Sequence, residues 1–305
     1  MIYTLTLSPS LDLLIKGNEF QVSKVNRYQQ MHAFAGGKGI NASIILSRHR
    51  IDNVAITLFD SKTFLDLKNV FDAEKLYILN IPVNNKTRVN IKFMSDKTSF
   101  ELNGPRADLD QEHISKVLKI LEKMQSNDVF MLMGTAKEEH LLEILQFCYK
   151  KQVKIVLDVE SKNFFDLLKY QPYLIKPNID ELAKLFPNQT LNNFVEIKLC
   201  VDELKAYGAQ NVIVSLGGEG SYLFTKDNQI LYASNLKKIT PVSTAGAGDT
   251  MTAIFAAEYI KTNDAVVSLK RASAAALATV SDLWLGNETT TQANYDSIKI
   301  EIIKE

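Results

Sequence analysis

The chain has 305 residues, 46% hydrophobic and 23% charged, ordinary composition for a folded protein able to bury a sizeable core. Lysine plus arginine equals aspartate plus glutamate at 35 each, so no net field draws it to nucleic acid or to an anionic membrane, and any bound anion must be held locally. No apolar run approaches the ~20 residues of a membrane-spanning helix, and Met1–Leu7 reads as a short strand rather than a secretory leader, so a cytoplasmic location is expected.

In chain order, residues 13–35 have a mixed, strand-like texture. Val89, Ile91 and Phe93 then alternate with polar residues before a turn at Ser95-Asp96-Lys97 and a second short strand, which predicts an antiparallel hairpin over Arg88–Leu102. The two stretches, about 13–35 and 86–104, are expected to form a small β-sheet lid on a single domain spanning 1–305. From Leu109 onward strand-length apolar runs (Val129–Met133, Val153–Leu157, Val212–Leu216) alternate with helical patterns over Asp110–Met124, Glu138–Lys150 and Phe194–Tyr207. Gly208 supplies a C-terminal cap to the last of these. Such alternation predicts an α/β core, a mostly parallel sheet covered by helices. Cys148 and Cys200 each fall within helix-like apolar patterns and read as buried packing. The chain shows no internal repeat and no linker rich in Pro, Gly and Ser, which argues against tandem domains.

The segment Ser243-Thr244-Ala245-Gly246-Ala247-Gly248-Asp249-Thr250 precedes a small-residue helical run over Met251–Ile260. Two glycines let backbone approach a ligand, and the unpaired N–H groups of a helix start attract an anion such as phosphate. A carboxylate there competes with the anion unless it has its own task, and proton abstraction from an attacking hydroxyl is the obvious one. Spacing alone leaves two readings open for Asp249: catalytic base, or simple helix cap.

The Thr244–Asp249 stretch resembles the C-terminal signature of the PfkB/ribokinase-like carbohydrate kinases. Ala35-Gly36-Gly37-Lys38-Gly39-Ile40-Asn41 is similar to that family's N-terminal glycine-rich element. Thr6-Leu7-Ser8-Pro9-Ser10-Leu11-Asp12, Lys176-Pro177-Asn178 with Glu181, and Ser215-Leu216-Gly217-Gly218-Glu219-Gly220 resemble its opening strand, its K-P-N-x-x-E element and its nucleotide-side loop, all in the right order. The resemblance implies a three-layer αβα ribokinase-like core, ATP as phosphoryl donor, Mg²⁺, and a homodimer formed through the small sheet.

It also implies roles. Asp12 and Asn41 orient sugar hydroxyls with Gly37 beside them, Thr135 adds a hydroxyl, and Lys38 with Arg88 holds a phosphate already on the substrate, which points to the phosphosugar branch of the family. Asp249 is the base, with Gly246, Ala247 and Gly248 as anion hole. Lys176, Ser215, Gly217, Gly220 and Thr244 border the nucleotide. Asn178 and Glu181, three residues apart, can face the same way and hold hydrated Mg²⁺; the same spacing also fits an Asn-led capping box.

The chain departs from the family at Met133-Gly134-Thr135-Ala136-Lys137-Glu138, where a Ser-Gly-Ser-Leu-Pro-like turn is usual, and at Ser281-Asp282-Leu283-Trp284-Leu285-Gly286. Two other classes stand beside the kinase. Gly37-Lys38-Gly39-Ile40-Asn41-Ala42 fits the dinucleotide fingerprint G-x-G-x-x-A with Asp60 ending the next apolar run, and the altered turn at Gly134 is compatible with a non-catalytic sugar-phosphate sensor. P-loop chemistry is excluded because Gly37-Lys38 is followed by Gly39 instead of Ser or Thr, and His32, His49, His113 and His140 lack zinc-ligand spacing.

Overall fold

A computed structural model describes the chain except Asp96, Lys238 and Glu305; the centre of the expected Ser95–Lys97 turn therefore lies outside the described residues. The chain opens with β1 (Ile2–Thr6), β2 (Ser10–Lys16) and β3 (Gln30–Gly36), then α1 (Lys38–Arg48) and β4 (Asn53–Thr57). α2 (Ser61–Asp66), α3 (Lys68–Ala73) and β5 (Ile78–Asn80) lead to the hairpin of β6 (Arg88–Met94) and β7 (Ser99–Asn103). Helices and strands then alternate through α4 (Gln111–Leu121), β8 (Val129–Gly134), α5 (Glu138–Lys150), β9 (Lys154–Val159), α6 (Phe164–Leu168) and β10 (Leu174–Ile175). α7 (Ile179–Leu185), α8 (Phe194–Ala206), β11 (Asn211–Ser215), β12 (Ser221–Phe224) and β13 (Ile230–Asn235) follow. α9 (Ala247–Thr262), α10 (Ala265–Val280), α11 (Glu288–Asn294) and β14 (Ile298–Ile303) close the chain.

These strands make one large sheet in the order β14-β13-β12-β11-β10-β9-β8-β1-β4-β5 and a small one in the order β3-β2-β6-β7. The large sheet is parallel from β11 to β5 and antiparallel at β12, β13 and β14. Strand alternation sends Leu5, Phe130, Leu132, Ile155 and Leu157 to one face, where they pack with α4, α5 and α8. Ile2, Met131, Val156 and Ile213 go to the other, under α1, α9 and α10. The result is the expected αβα sandwich. α5 occupies the predicted Glu138–Lys150, with Glu138 and Glu139 in its first turn and Lys150 in its last, charges that complement the helix dipole. Cys148 and Cys200 are free and buried. Among the described residues no helix is long and apolar enough to cross a membrane.

Two boundaries differ from expectation. Asp12 does not end the first strand: β1 stops at Thr6, and Asp12 sits inside β2, which has already left the main sheet for the small one. The glycine-rich helix begins at Ala247, before the expected Met251, so Asp249 lies within its first turn. Small residues and a left-handed glycine allow the backbone to wind earlier than hydrophobic periodicity signals.

Candidate active site

The chain steps outward from β1 to β4 and β5, then returns to β8 on the other side of β1. At such a reversal the carboxyl ends of parallel strands frame a crevice, the usual ligand position in open α/β sheets. Strands β2 and β6 of the small sheet and the starts of α1 and α9 meet there. Gly246, at φ 80°, is the left-handed N-cap of α9, and a Cβ on it would lie 2.6 Å from the Leu285 side chain. The first helical bond of α9 runs from Thr250 N to Gly246 O at 2.9 Å, so the amides of Ala247, Gly248 and Asp249 precede the helical ladder. Among the described residues only that of Ala247 finds a backbone acceptor, Thr244 O at 3.4 Å.

The Asp249 carboxylate is buried and takes a 2.8 Å hydrogen bond from Asn41 Nδ2, on α1, instead of capping α9. Burial, then the charge of Asp158, pushes its pKa up to about 6 against the pull of Lys38, the Asn41 hydrogen bond and Lys176. A carboxyl balanced this way takes up a proton readily near neutral pH, the property a general base needs.

Lys38 Nζ donates to Asp158 Oδ1 at 2.6 Å and stands 3.9 Å from Glu181 Oε1. Burial works against its charge, but Asp158, Asp249 and Glu181 together raise its pKa. Asp158 is held below the ordinary carboxylate range despite complete burial, by Lys38 and Lys176. Alternation explains why Asp158 is there: it follows Val156 on the α1/α9 face of β9, at the strand's carboxyl end. Lys176 is buried, with Nζ so placed that a Cβ on Gly248 would meet it at 3.1 Å. A cavity of about 410 Å³ opens from Asp158, Lys176 and Glu181 toward Arg106, Lys162 and Lys184.

Asn178 and Glu181 form a full capping box: Glu181 N donates to Asn178 Oδ1 at 2.7 Å and Asn178 N to Glu181 Oε2 at 2.9 Å. The box spends the Asn178 oxygen locally and leaves Glu181 Oε1 facing Lys38. Asn178 bridges to Ser215, joining the K-P-N element to the end of β11, where Gly217–Glu219 makes a tight turn closed by Leu216 N to Gly220 O at 2.8 Å. Thr244 is exposed two residues before Gly246, and its carbonyl accepts from Ala247 N, while Thr135 follows Gly134 at the carboxyl end of β8.

The inner face of the lid carries Asp12, Arg88, Asn90 and Lys92, placed together by the register Asp12↔Asn90. Asp12 Oδ1 accepts from Ser10 Oγ at 2.6 Å and Asn90 Nδ2 at 2.9 Å, and Oδ2 lies 3.5 Å from Lys92 Nζ. A Cβ on Gly36 would sit 2.3 Å from Asp12 Oδ1, so only glycine lets the neighbouring strand pass this carboxylate. Thr87 and Asp60 exchange hydrogen bonds at 2.8 and 3.0 Å and pin the start of β6, which fixes Arg88. Burial, then the charge of Arg106, lowers the Arg88 pKa. Lys38 and Arg88 thus have different neighbours: Lys38 joins the acidic cluster at Asp158, and Arg88 stands with Arg106. Thr6 Oγ1, Ser8 Oγ, Asn41 Oδ1 and Arg88 Nε, all buried, have no hydrogen-bond partner among the described residues. Buried polar atoms are normally satisfied, so a cluster of orphans calls for a polar ligand.

The dinucleotide reading fails on topology. Gly37 follows β3, a strand of the small sheet, whereas that fingerprint needs a strand of the main sheet before it. Asp60 is spent capping α2 through Lys62 N and Thr63 N and in its bond with Thr87 N. Sequence reasoning missed Asp158, Arg106, Asn90 and Lys92 as site members. A lone acid ending an apolar run was the signal for Asp158, and period-two spacing from Arg88 was the signal for Asn90 and Lys92; Arg106 carried none.

An open α/β sheet with a glycine-rich helix start, a buried carboxylate of raised pKa and a small second sheet bearing polar side chains over the same crevice is an arrangement suited to group transfer onto a polar substrate. The model of the "pfkB family carbohydrate kinase" matches residues 6–291, and the chain belongs to that family. It is 30% identical over 305 residues to the "1-phosphofructokinase" of Bacillus subtilis, covering 98% of this chain and 99% of that one. It is 27% identical to the "tagatose-6-phosphate kinase" of Staphylococcus epidermidis over the full length of both. The fold also matches phosphofructokinase-2 from Escherichia coli with a TM-score of 0.88 at 22% identity, covering 97% of this chain and 98% of that one. The protein is therefore an ATP-dependent carbohydrate kinase.

Proposed function

We propose that the protein is a 1-phosphofructokinase, moving the γ-phosphoryl group of ATP to the free primary hydroxyl of fructose 1-phosphate to give fructose 1,6-bisphosphate and ADP. The observation that carries this reading is the cluster of unpartnered buried polar atoms on Thr6, Ser8, Asn41 and Arg88 beside Asp249. A phosphosugar has two distinct ends, and the site offers two distinct poles. Arg88, with Arg106, takes the existing phosphate; Asp12, held by Ser10 and Asn90, and Asn41 take ring hydroxyls, with Thr135 and Gly37 at the rim. The free primary hydroxyl then faces Asp249, which accepts its proton as the oxygen attacks phosphorus in line and ADP departs. Amides of the Gly246–Asp249 turn receive the charge that spreads over the moving group, and Lys176 stands against the same oxygens. Lys38, spent on Asp158, is a phosphoryl-side cation that also steadies the carboxylates of Asp158 and Asp249. The nucleotide lies along Ser215, Gly217, Gly220 and Thr244.

The residues present fit a nucleotide-bound Mg²⁺ and not a metal held by protein alone. Among the described residues no three His, Cys, Asp or Glu side chains could hold an ion, but Glu181 and Asp158 supply hard oxygen donors, and Mg²⁺ usually takes one or two carboxylates plus phosphate oxygens and water. Asn178 orients Glu181 through the capping box. Bound Mg²⁺ would neutralise charge on the transferring phosphates.

The lid's outer face exposes Met31, Val89 and Leu102 beside Leu13, Ile15 and Ile91. A second copy covering this face accounts for so much unshielded apolar surface, so the assembly is proposed as a homodimer in the cytoplasm. Initial rates with ATP on fructose 1-phosphate, tagatose 6-phosphate and fructose 6-phosphate test the substrate. A higher kcat/KM for either of the last two overturns the assignment; sedimentation giving a monomer or tetramer overturns the dimer.

A further inference from the structure

The segment Ser281–Gly286, where the chain departs from its family's pattern, carries the only tryptophan. Trp284 stacks on Phe34 with ring centroids 4.6 Å apart and planes at 26°. Phe34 lies on the lid's edge strand, in register with Asp12 and therefore on the same inner face. The other contacts of this segment run into the core. The Arg48 guanidinium sits 5.1 Å from the Trp284 ring centroid and donates to the carbonyls of Leu285 and Gly286, while a 2.8 Å bond from Nε to Glu74 anchors it. Leu285 is buried against Gly246, close enough that a Cβ there would clash. Gly286 N donates to Thr279 Oγ1 at 3.1 Å, and Thr279 Oγ1 meets Thr250 Oγ1 at 3.0 Å, next to Asp249 in the chain.

One short loop thus touches the anion hole through Leu285, the catalytic helix through Thr279 and Thr250, and the lid through Trp284. We infer that Trp284 is a positioning residue: its stack on Phe34 holds β3, and through the Asp12↔Phe34 pairing the neighbouring strand that bears Asp12, at a fixed distance from the turn that receives the phosphoryl group. The stack is a lateral contact on β3, away from Arg88 on β6, so it sets where Asp12 stands without touching the substrate phosphate. An arrangement with the lid detached lets water reach the phosphoryl donor, whereas the tied arrangement favours the sugar hydroxyl.

The inference rests on the kinase reading, and the test separates the two. In W284L and F34L, the KM for fructose 1-phosphate rises about tenfold, the size of effect an aromatic pair of this geometry supports. The ratio of sugar phosphorylated to ATP hydrolysed falls, and the KM for ATP stays as in the wild type, since the nucleotide loop lies elsewhere. W284F recovers most of the wild-type KM, and the double variant is no worse than either single one. F34L keeps the indole, so its emission reports the lid directly: fructose 1-phosphate shifts the emission of the wild type and leaves F34L unshifted. Unchanged KM and coupling in both single variants, or effects that simply add in the double variant, overturn the inference. A wild-type enzyme that turns over none of the phosphosugars overturns the kinase reading instead.

Discussion

Replacing Asp249 with Asn removes one charge and keeps the shape, the acceptor oxygen and the bond from Asn41. The Asp249 pKa moves from 3.8 to about 6 on folding, chiefly through burial and then through Asp158. A raised carboxyl pKa means that the folded state holds the proton more tightly than the unfolded chain does. Its contribution to stability is complete below pH 3.8 and is lost as the pH rises through about 6. At ~1.36 kcal/mol per pH unit, the ionised group costs the wild type about 3 kcal/mol above that window. Asp249→Asn is therefore more stable than the wild type at pH 8 by about 3 kcal/mol. With an unfolding entropy of about 2.1 cal/mol/K per residue, this corresponds to a Tm rise of about 5 °C. The difference shrinks between pH 6 and 4 and disappears below. Paired urea or calorimetric unfolding of the two proteins across pH reads it, and groups common to both cancel. The same variant loses about 10²- to 10⁴-fold in kcat, the usual worth of a general base, with ATP binding retained in a titration. A variant no more stable than the wild type at pH 8, or one with near-normal turnover, refutes the reasoning.

The pH dependence of kcat/KM in the wild type falls on the acid side with an apparent pKa of about 6, the value at which free Asp249 takes up its proton. Asp158→Asn removes a like charge and releases Lys38 toward Asp249, so the acid limb moves to lower pH; a limb that stays in place or moves upward contradicts the coupling. Arg88→Ala raises the KM for fructose 1-phosphate by about 10- to 100-fold, the cost of one charge-assisted hydrogen bond, while the KM for ATP holds; equal effects on both would remove Arg88 from the substrate pole. Chelation of Mg²⁺ abolishes turnover, and Glu181→Gln raises the Mg²⁺ concentration for half-maximal rate; an unaltered Mg²⁺ curve takes Glu181 out of the metal's reach.

The α/β core and the Glu138–Lys150 and Phe194–Ala206 helices were legible because their patterns are local: apolar runs of strand length and helical periods, each bounded by its own cap or turn. The hairpin at Arg88–Asn103 was legible for the same reason, through period-two alternation. The sequence places Asp12 in the opening strand although the chain changes sheets between Thr6 and Ser10, because no side-chain pattern marks a change of sheet. Lys38 was grouped with Arg88 because both are cations near glycine-rich or strand-start positions. Only the fold, which brings the carboxyl end of β9 to the start of α1, reveals that Asp158 claims it.

For Asp249 the division is sharpest. That a carboxylate stands in a glycine-rich helix start is legible from residue order, because G-A-G-D and the helical run after it are local facts. Base and cap remained open, since a helix start suits either. The tertiary contacts remove the cap: Asn41, 208 residues away in the chain, takes the carboxylate across to α1, and burial together with Asp158 raises its proton affinity. Desolvation and charge proximity are sums over everything nearby in space, so no window of sequence contains them.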